Sequence, residues 1–171
     1  GILHGKECIL GAGCVIDPEV FVRELDDLEA RGISTGVVRV SGEAHLIMPW
    51  HVAIDQGTER RLGSLQIGTT KRGIGPAYAD KAARLGIRVQ DLLDPKILRQ
   101  KIEVALAEKN VWLERVYGAE PLELEELAER YESFAQRLRP YVGDTSLLVD
   151  RALREGRFVL LEGAQGTLLD L

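Results

Sequence analysis

One segment constrains this chain more than any other: Ile67-Gly68-Thr69-Thr70-Lys71-Arg72-Gly73-Ile74-Gly75-Pro76-Ala77-Tyr78. Across residues 56–76 Gly, Thr, Lys and Arg dominate, and Gly63, Gly68, Gly73 and Gly75 work against any regular element. A stretch of that length without secondary structure is uncommon in a compact domain and is usually functional or disordered. Glycines let backbone N–H groups approach a ligand, Thr69 and Thr70 add hydroxyl donors, and Lys71 and Arg72 add charge suited to phosphate. The Gly73–Gly75 pair lacks a preceding strand and a third glycine, so a dinucleotide fingerprint fails. No Gly-Lys-Ser/Thr closes the segment either, so it is no P-loop. On residue chemistry alone, an anion-handling loop and a plain surface loop both remain open.

The block before the loop reads β-α-β. Cys8-Ile9-Leu10-Gly11-Ala12-Gly13-Cys14-Val15-Ile16 is a short apolar strand, with glycines where another backbone comes close. Asp17-Pro18 supplies a helix cap with proline at the first helical position, and Gly32 ends that helix. Val37 to Val40 is a second strand, and residues 45–55 break at Pro49 from strand into helix. Beyond the loop, Leu98, Ile102, Ala105, Trp112 and Val116 form one helical stripe. Leu124, Leu127, Tyr131, Phe134, Leu138 and Tyr141 form another, paired with the first as a hairpin across Gly118 to Pro121. A capped helix from about Thr145 to Glu155 leads into Phe158-Val159-Leu160-Leu161, expected to be a strand buried on both faces. The class is α/β, a mostly parallel sheet with flanking helices and a helical-hairpin insertion. Residues 1–171 are expected to form a single partial domain. Its parts are 1–55 (β-α-β with the following strand and helix), 56–80 (substrate loop), 95–142 (helical insertion) and 145–171 (helix and buried strand).

Charge excludes some partners. With 22 Lys+Arg against 27 Asp+Glu and a net charge of -5, no basic excess suits a nucleic-acid backbone. No apolar run reaches the length of a membrane span, and no apolar leader opens the chain. Cys8 and Cys14 make no metal pattern and read as buried free thiols of a reducing cytoplasm. A start at Gly1 and a stop at Leu171 inside an apolar run suggest a piece of a longer protein.

Three further features bear on function. Glu162-Gly163-Ala164-Gln165-Gly166-Thr167 follows the expected strand, where α/β sheets bind ligands, and Gln165 could read a base edge. Glu162 is the one carboxylate placed at a strand end, and a simple glycine turn is the plainer alternative. Lys81, Arg84 and Arg88 form a basic run in which Lys81 and Arg84 share a helix face with Tyr78, though solvated charge is the default reading. His45 and His51 flank an apolar stretch and read as satisfied structural residues.

Two of these segments, GTTKRGIGPAYADKAARLGIRV and FVLLEGAQGTLLDL, closely resemble the adenylosuccinate synthetase family, and weaker likeness runs through GILHGKECILGAGCVIDP and AHLIMPWHVAIDQ. The resemblance implies part of a larger P-loop-like, GTP-using enzyme domain. It implies a ligase of purine biosynthesis that joins IMP to L-aspartate with GTP and magnesium through 6-phosphoryl-IMP, working as a cytoplasmic homodimer. By the same resemblance Thr70 holds the IMP phosphate, Arg84 reaches the IMP of a neighbouring subunit, and Gln165 contacts the bound nucleotide. The family's glycine-rich GTP segment, with its catalytic aspartate and histidine, is not in this sequence, nor are its aspartate-binding and guanine-specificity motifs. The main ligands of GTP and Mg2+ therefore lie outside it, no catalytic or metal residue is assigned, and this chain alone is expected to be inactive. Lys71 stands where small residues are common in the family. The alternative function is a non-catalytic purine-nucleotide-binding or regulatory module.

Overall fold

The structure, a computed structural model, describes residues 1–163. Among these residues five short strands are all parallel to their partners. β1 (Cys8–Leu10), β3 (Val38–Ser41) and β5 (Val142–Gly143) form one sheet in that spatial order, with Leu10 opposite Val40 and Val40 opposite Val142. β2 (Val15–Ile16) and β4 (His45–Leu46) form a second pair. The expected single strand over residues 8–16 is thus two strands in two sheets. A turn closed by Cys14 N–H donating to Gly11 O at 3.1 Å divides them. A Cβ at Gly11 or Gly13 would meet nothing within 4 Å, so the expected close approach of another backbone is not found there.

Helix α1 (Pro18–Ala30) starts as the sequence predicts: the Asp17 carboxylate accepts from Glu19 and Val20 N–H, and Pro18 opens the first turn. Phe21 and Leu25 on its inner face join a core that includes Val40, Leu46, Met48, Trp50, Ile87 and Leu92. Helix α2 (Pro49–Leu62) runs further than predicted, through the polar letters at 55–62. Gly57 sits inside it because the Tyr117 ring packs there; an added Cβ would lie 2.4 Å from Tyr117 Cδ1. Helix α3 (Ile74–Ala83) takes in Gly75 and Pro76, so the irregular segment shrinks to residues 63–73, opening on a 3₁₀ turn at Gly63–Leu65.

The helical hairpin is present as α4 (Pro95–Tyr117) and α5 (Leu124–Leu138). Asp94 caps α4, Gly118 ends it at φ 60°, and the Asn110 amide binds Leu122 N–H and C=O, both at 2.9 Å, to fix the turn. Leu98, Ile102, Ala105 and Leu113 face inward, whereas Trp112 and Val116 are exposed. The buried stripe passes through Lys109 and Leu113, which turns Trp112 and Val116 outward. In α5, Leu127, Tyr131 and Leu138 are buried, and Tyr131 donates to Ile47 O at 3.0 Å. Helix α6 (Thr145–Arg154) is capped by Asp144, which accepts from Leu147 N–H.

The expected strand over 158–161 does not form. Phe158, Leu160 and Leu161 are 91%, 76% and 82% exposed, and no described strand pairs with them. Apolar letters can specify a face to bury but cannot supply the hydrogen-bonding neighbour a strand needs. Glu162 consequently stands exposed, at no strand end. No helix among the described residues is long and apolar enough to cross a membrane.

Candidate functional site

The site is built on a polar face of α2. His51, Asp55 and Glu59 recur at every fourth residue and are 1%, 6% and 1% exposed, so the stripe points inward. Each has a separate partner. His51 Nδ1 accepts Met48 N–H at 3.0 Å, which leaves Nε2–H to donate to Asp80 Oδ2 at 2.9 Å. That tautomer is neutral, and burial pushes the His51 imidazole below its ordinary pKa despite Asp80. The other Asp80 oxygen accepts from Lys109 Nζ at 2.6 Å. Burial opposes ionisation of Asp80, but the bonds from His51 and Lys109 outweigh it and hold the carboxyl below its ordinary value. This buried chain joins α2, α3 and α4.

The two acids bind the loop. Asp55 Oδ1 accepts the Thr69 hydroxyl and Asp55 Oδ2 accepts Gly73 N–H, each at 2.9 Å. Glu59 Oε1 and Oε2 accept Ile67 N–H and Gly68 N–H, each at 3.2 Å. The loop is thus held from beneath: four donors end on two buried carboxylates. Gly73 adds a steric condition. At φ 77° an L side chain is strained, and an added Cβ would sit 2.8 Å from the backbone of His51 and Val52.

What remains free is the loop tip. Thr69 is committed, since its oxygen also accepts Lys71 N–H at 3.3 Å. The Thr70 side chain is exposed and has no partner among the described residues, and Lys71 and Arg72 are exposed beside it. Among the described residues the two non-glycine positions with positive φ are Lys71 at 57° and Arg84 at 63°. Left-handed backbone costs an L residue roughly 1–2 kcal/mol, and such strain clusters at functional sites. Both residues are cations, Lys71 at the loop tip and Arg84 at the far end of α3.

Arg84 does not converge with Thr70. It caps the opposite end of α3, and a helix of 10 residues is about 15 Å long. There Arg84 lines an open cleft of about 310 Å³ with Leu85, Gly86, Ile97, Lys101 and Glu108. It lies past the helix end and so does not share a face with Tyr78. Lys81 does face Tyr78, 5.8 Å from the ring, but it is engaged: Lys81 Nζ donates to Ala12 O and Tyr78 OH donates to Gly13 O. Arg88 is exposed. Gln165 lies outside the described residues. His51 is satisfied, as expected, whereas the buried Nδ1 of His45 has no partner. Cys8 and Cys14 are free and half-buried. Among the described residues no group of three or more His, Cys, Asp or Glu converges on a metal position.

Sequence reasoning missed Asp55, Glu59 and Asp80. The signal in the sequence is the four-residue recurrence of His51, Asp55 and Glu59, masked by the Gly, Thr and Arg letters that follow residue 55.

Fold and site define an α/β protein with parallel sheets, in which a helix-anchored loop presents a hydroxyl and two cations. The family is specific: the chain belongs to the adenylosuccinate synthetase family, whose sequence pattern matches residues 1–171. It is 58% identical to the adenylosuccinate synthetase of Parafrankia sp. and 57% to that of Frankia alni, covering 100% of this chain and 40% of each relative. The Thermobifida fusca protein of that name is 55% identical over 95% of this chain and 38% of its own length. Among solved structures, the fully ligated adenylosuccinate synthetase of Plasmodium falciparum matches with a TM-score of 0.79 at 28% identity, over 95% of this chain and 37% of that one. The chain thus spans about 40% of the length of the curated relatives it matches.

Proposed function

We propose that this chain forms part of the IMP site of a cytoplasmic ligase that joins IMP to L-aspartate at the expense of GTP. Family membership supports the reaction. The observation that carries the site is the division of labour between two adjacent threonines. The Thr69 hydroxyl is spent on Asp55, while Thr70 stands exposed beside Lys71 and Arg72. A hydroxyl donor flanked by two cations suits the phosphate of a nucleoside monophosphate. Arg84 serves the IMP of a second copy in a homodimer, a role supported by its position at the far end of α3 and its strained, exposed backbone. Gln165 contacts the nucleotide. Magnesium and GTP are held mainly by residues outside this chain, and the 171 residues alone turn nothing over.

The test is titration of IMP and of inosine into the intact enzyme and into its Thr70→Ala variant. Loss of one phosphate contact should weaken IMP by about tenfold, the worth of a charge-assisted hydrogen bond, and leave inosine unchanged. Equal IMP affinity in both proteins would refute the assignment. Adenylosuccinate formed by the 171-residue chain from IMP, GTP, magnesium and aspartate would refute its inactivity.

A further inference from the structure

We propose that Asp55 and Glu59 are positioning residues for the anion contact: they set the shape of the loop from beneath without touching the ligand. The claim rests on the reading of Thr70 as that contact. Both carboxylates are almost wholly buried, 6% and 1% exposed, so they are not a solvated helix face. Their partners Ile67, Gly68, Thr69 and Gly73 lie on the loop and flank its open tip at residues 70–72. A carboxylate accepts on both oxygens, and each oxygen here receives one donor. The arrangement leaves the tip as the part of the loop with donors to spare, and it fixes which threonine is spent and which is available.

The donor types give the proposal a signature that general destabilisation would not. Glu59 receives two backbone N–H groups, which can only donate. A glutamine there offers one acceptor and one NH2, so one N–H meets another donor. Asp55 receives one backbone N–H and one hydroxyl, and a hydroxyl can reverse its role. An asparagine there can accept from Gly73 and donate to Thr69. Glu59→Gln should therefore disturb the loop, and Asp55→Asn should be tolerated, although both make the same chemical change.

The experiment measures IMP affinity, KM for IMP, KM for GTP and amide exchange in the intact enzyme and its variants. A buried N–H left facing another donor shifts an equilibrium by about 10- to 100-fold, so Glu59→Gln should raise the IMP Kd by up to that factor. KM for GTP should stay unchanged, and exchange should quicken at residues 67 and 68 while the α4 amides keep their protection. Asp55→Asn should stay within about threefold of wild type, and Asp55→Ala should lose about tenfold. If Glu59→Gln fails to fold, the contrast between Asp55→Asn and Asp55→Ala decides the question from the other carboxylate. Wild-type IMP affinity in Glu59→Gln, with Thr70→Ala weakened, overturns the positioning role and leaves the phosphate reading standing. Wild-type affinity in Thr70→Ala removes that reading and the proposal with it. An equal rise in KM for GTP and for IMP marks a general structural defect and overturns the proposal.

Discussion

At Lys71 two demands meet on one residue. Its backbone is left-handed at φ 57°, where glycine would be unstrained, yet its side chain adds a cation to the loop tip. Lys71→Gly should therefore separate the two: the intact enzyme should gain up to about 1 kcal/mol in unfolding free energy, while IMP binding weakens a few-fold. Denaturant unfolding and IMP titration on the same preparation would check it, and unchanged stability would show that the strain is absorbed elsewhere. Thr70 and Arg84 were legible as candidates because their motif is long and its residue types suit phosphate. Asp55 and Glu59 were not. Acidic letters among Gly, Thr and Arg resemble solvated surface, and only the folded helix shows that they face inward.

Helices announced themselves through a capping residue, as at Asp17 in α1 and Asp144 in α6, or through a regular apolar stripe, as in α5. They were misjudged where tertiary packing overrides composition. Gly57 is the sharpest case, since alanine is the better helix former by about 1 kcal/mol. Its Cβ would nevertheless meet the Tyr117 ring at 2.4 Å, and overpacking costs about 1–3 kcal/mol. Gly57→Ala should therefore destabilise the protein on balance, and a raised melting temperature would contradict that. The Asp80 junction of α2, α3 and α4 gives a larger effect. Lys109→Met leaves a buried carboxylate with His51 as its remaining partner, and removal of one member of such a pair costs about 3–5 kcal/mol. Urea unfolding checks this; a loss below about 1 kcal/mol would place Asp80 in a far wetter setting than its 5% exposure allows. The 158–161 segment failed as a strand for the opposite reason: its letters suit a sheet, but its partner is not among the described strands.

For the molecule as a whole, acid should be destabilising from the histidine range downward. Burial, reinforced at His45 by the charge of Lys81, holds both His45 and His51 below the ordinary 6.5. The unfolded chain then binds protons that the folded one refuses, so stability is fully present above about pH 6.5 and declines as pH falls through the window beneath it. The urea midpoint should be lower at about pH 5.5 than at about pH 7.5, and an equal midpoint would mean that neither imidazole is protected. The α/β class and the parallel pairing were readable from the alternation of short apolar runs with helices, whereas the division into two sheets was not. That division turns on one glycine turn, whose effect depends on which backbone each half meets. The grip of α2 on the loop carries a different kind of consequence, for which positions can drift. Three of its four bonds end on main-chain N–H groups, at residues 67, 68 and 73, and these are indifferent to the side chain at Ile67, which is 78% exposed. The visible loop can therefore change some of its letters and keep its form. The intolerance passes to two acids inside a neighbouring helix, positions that a survey of ligand contacts alone would leave out.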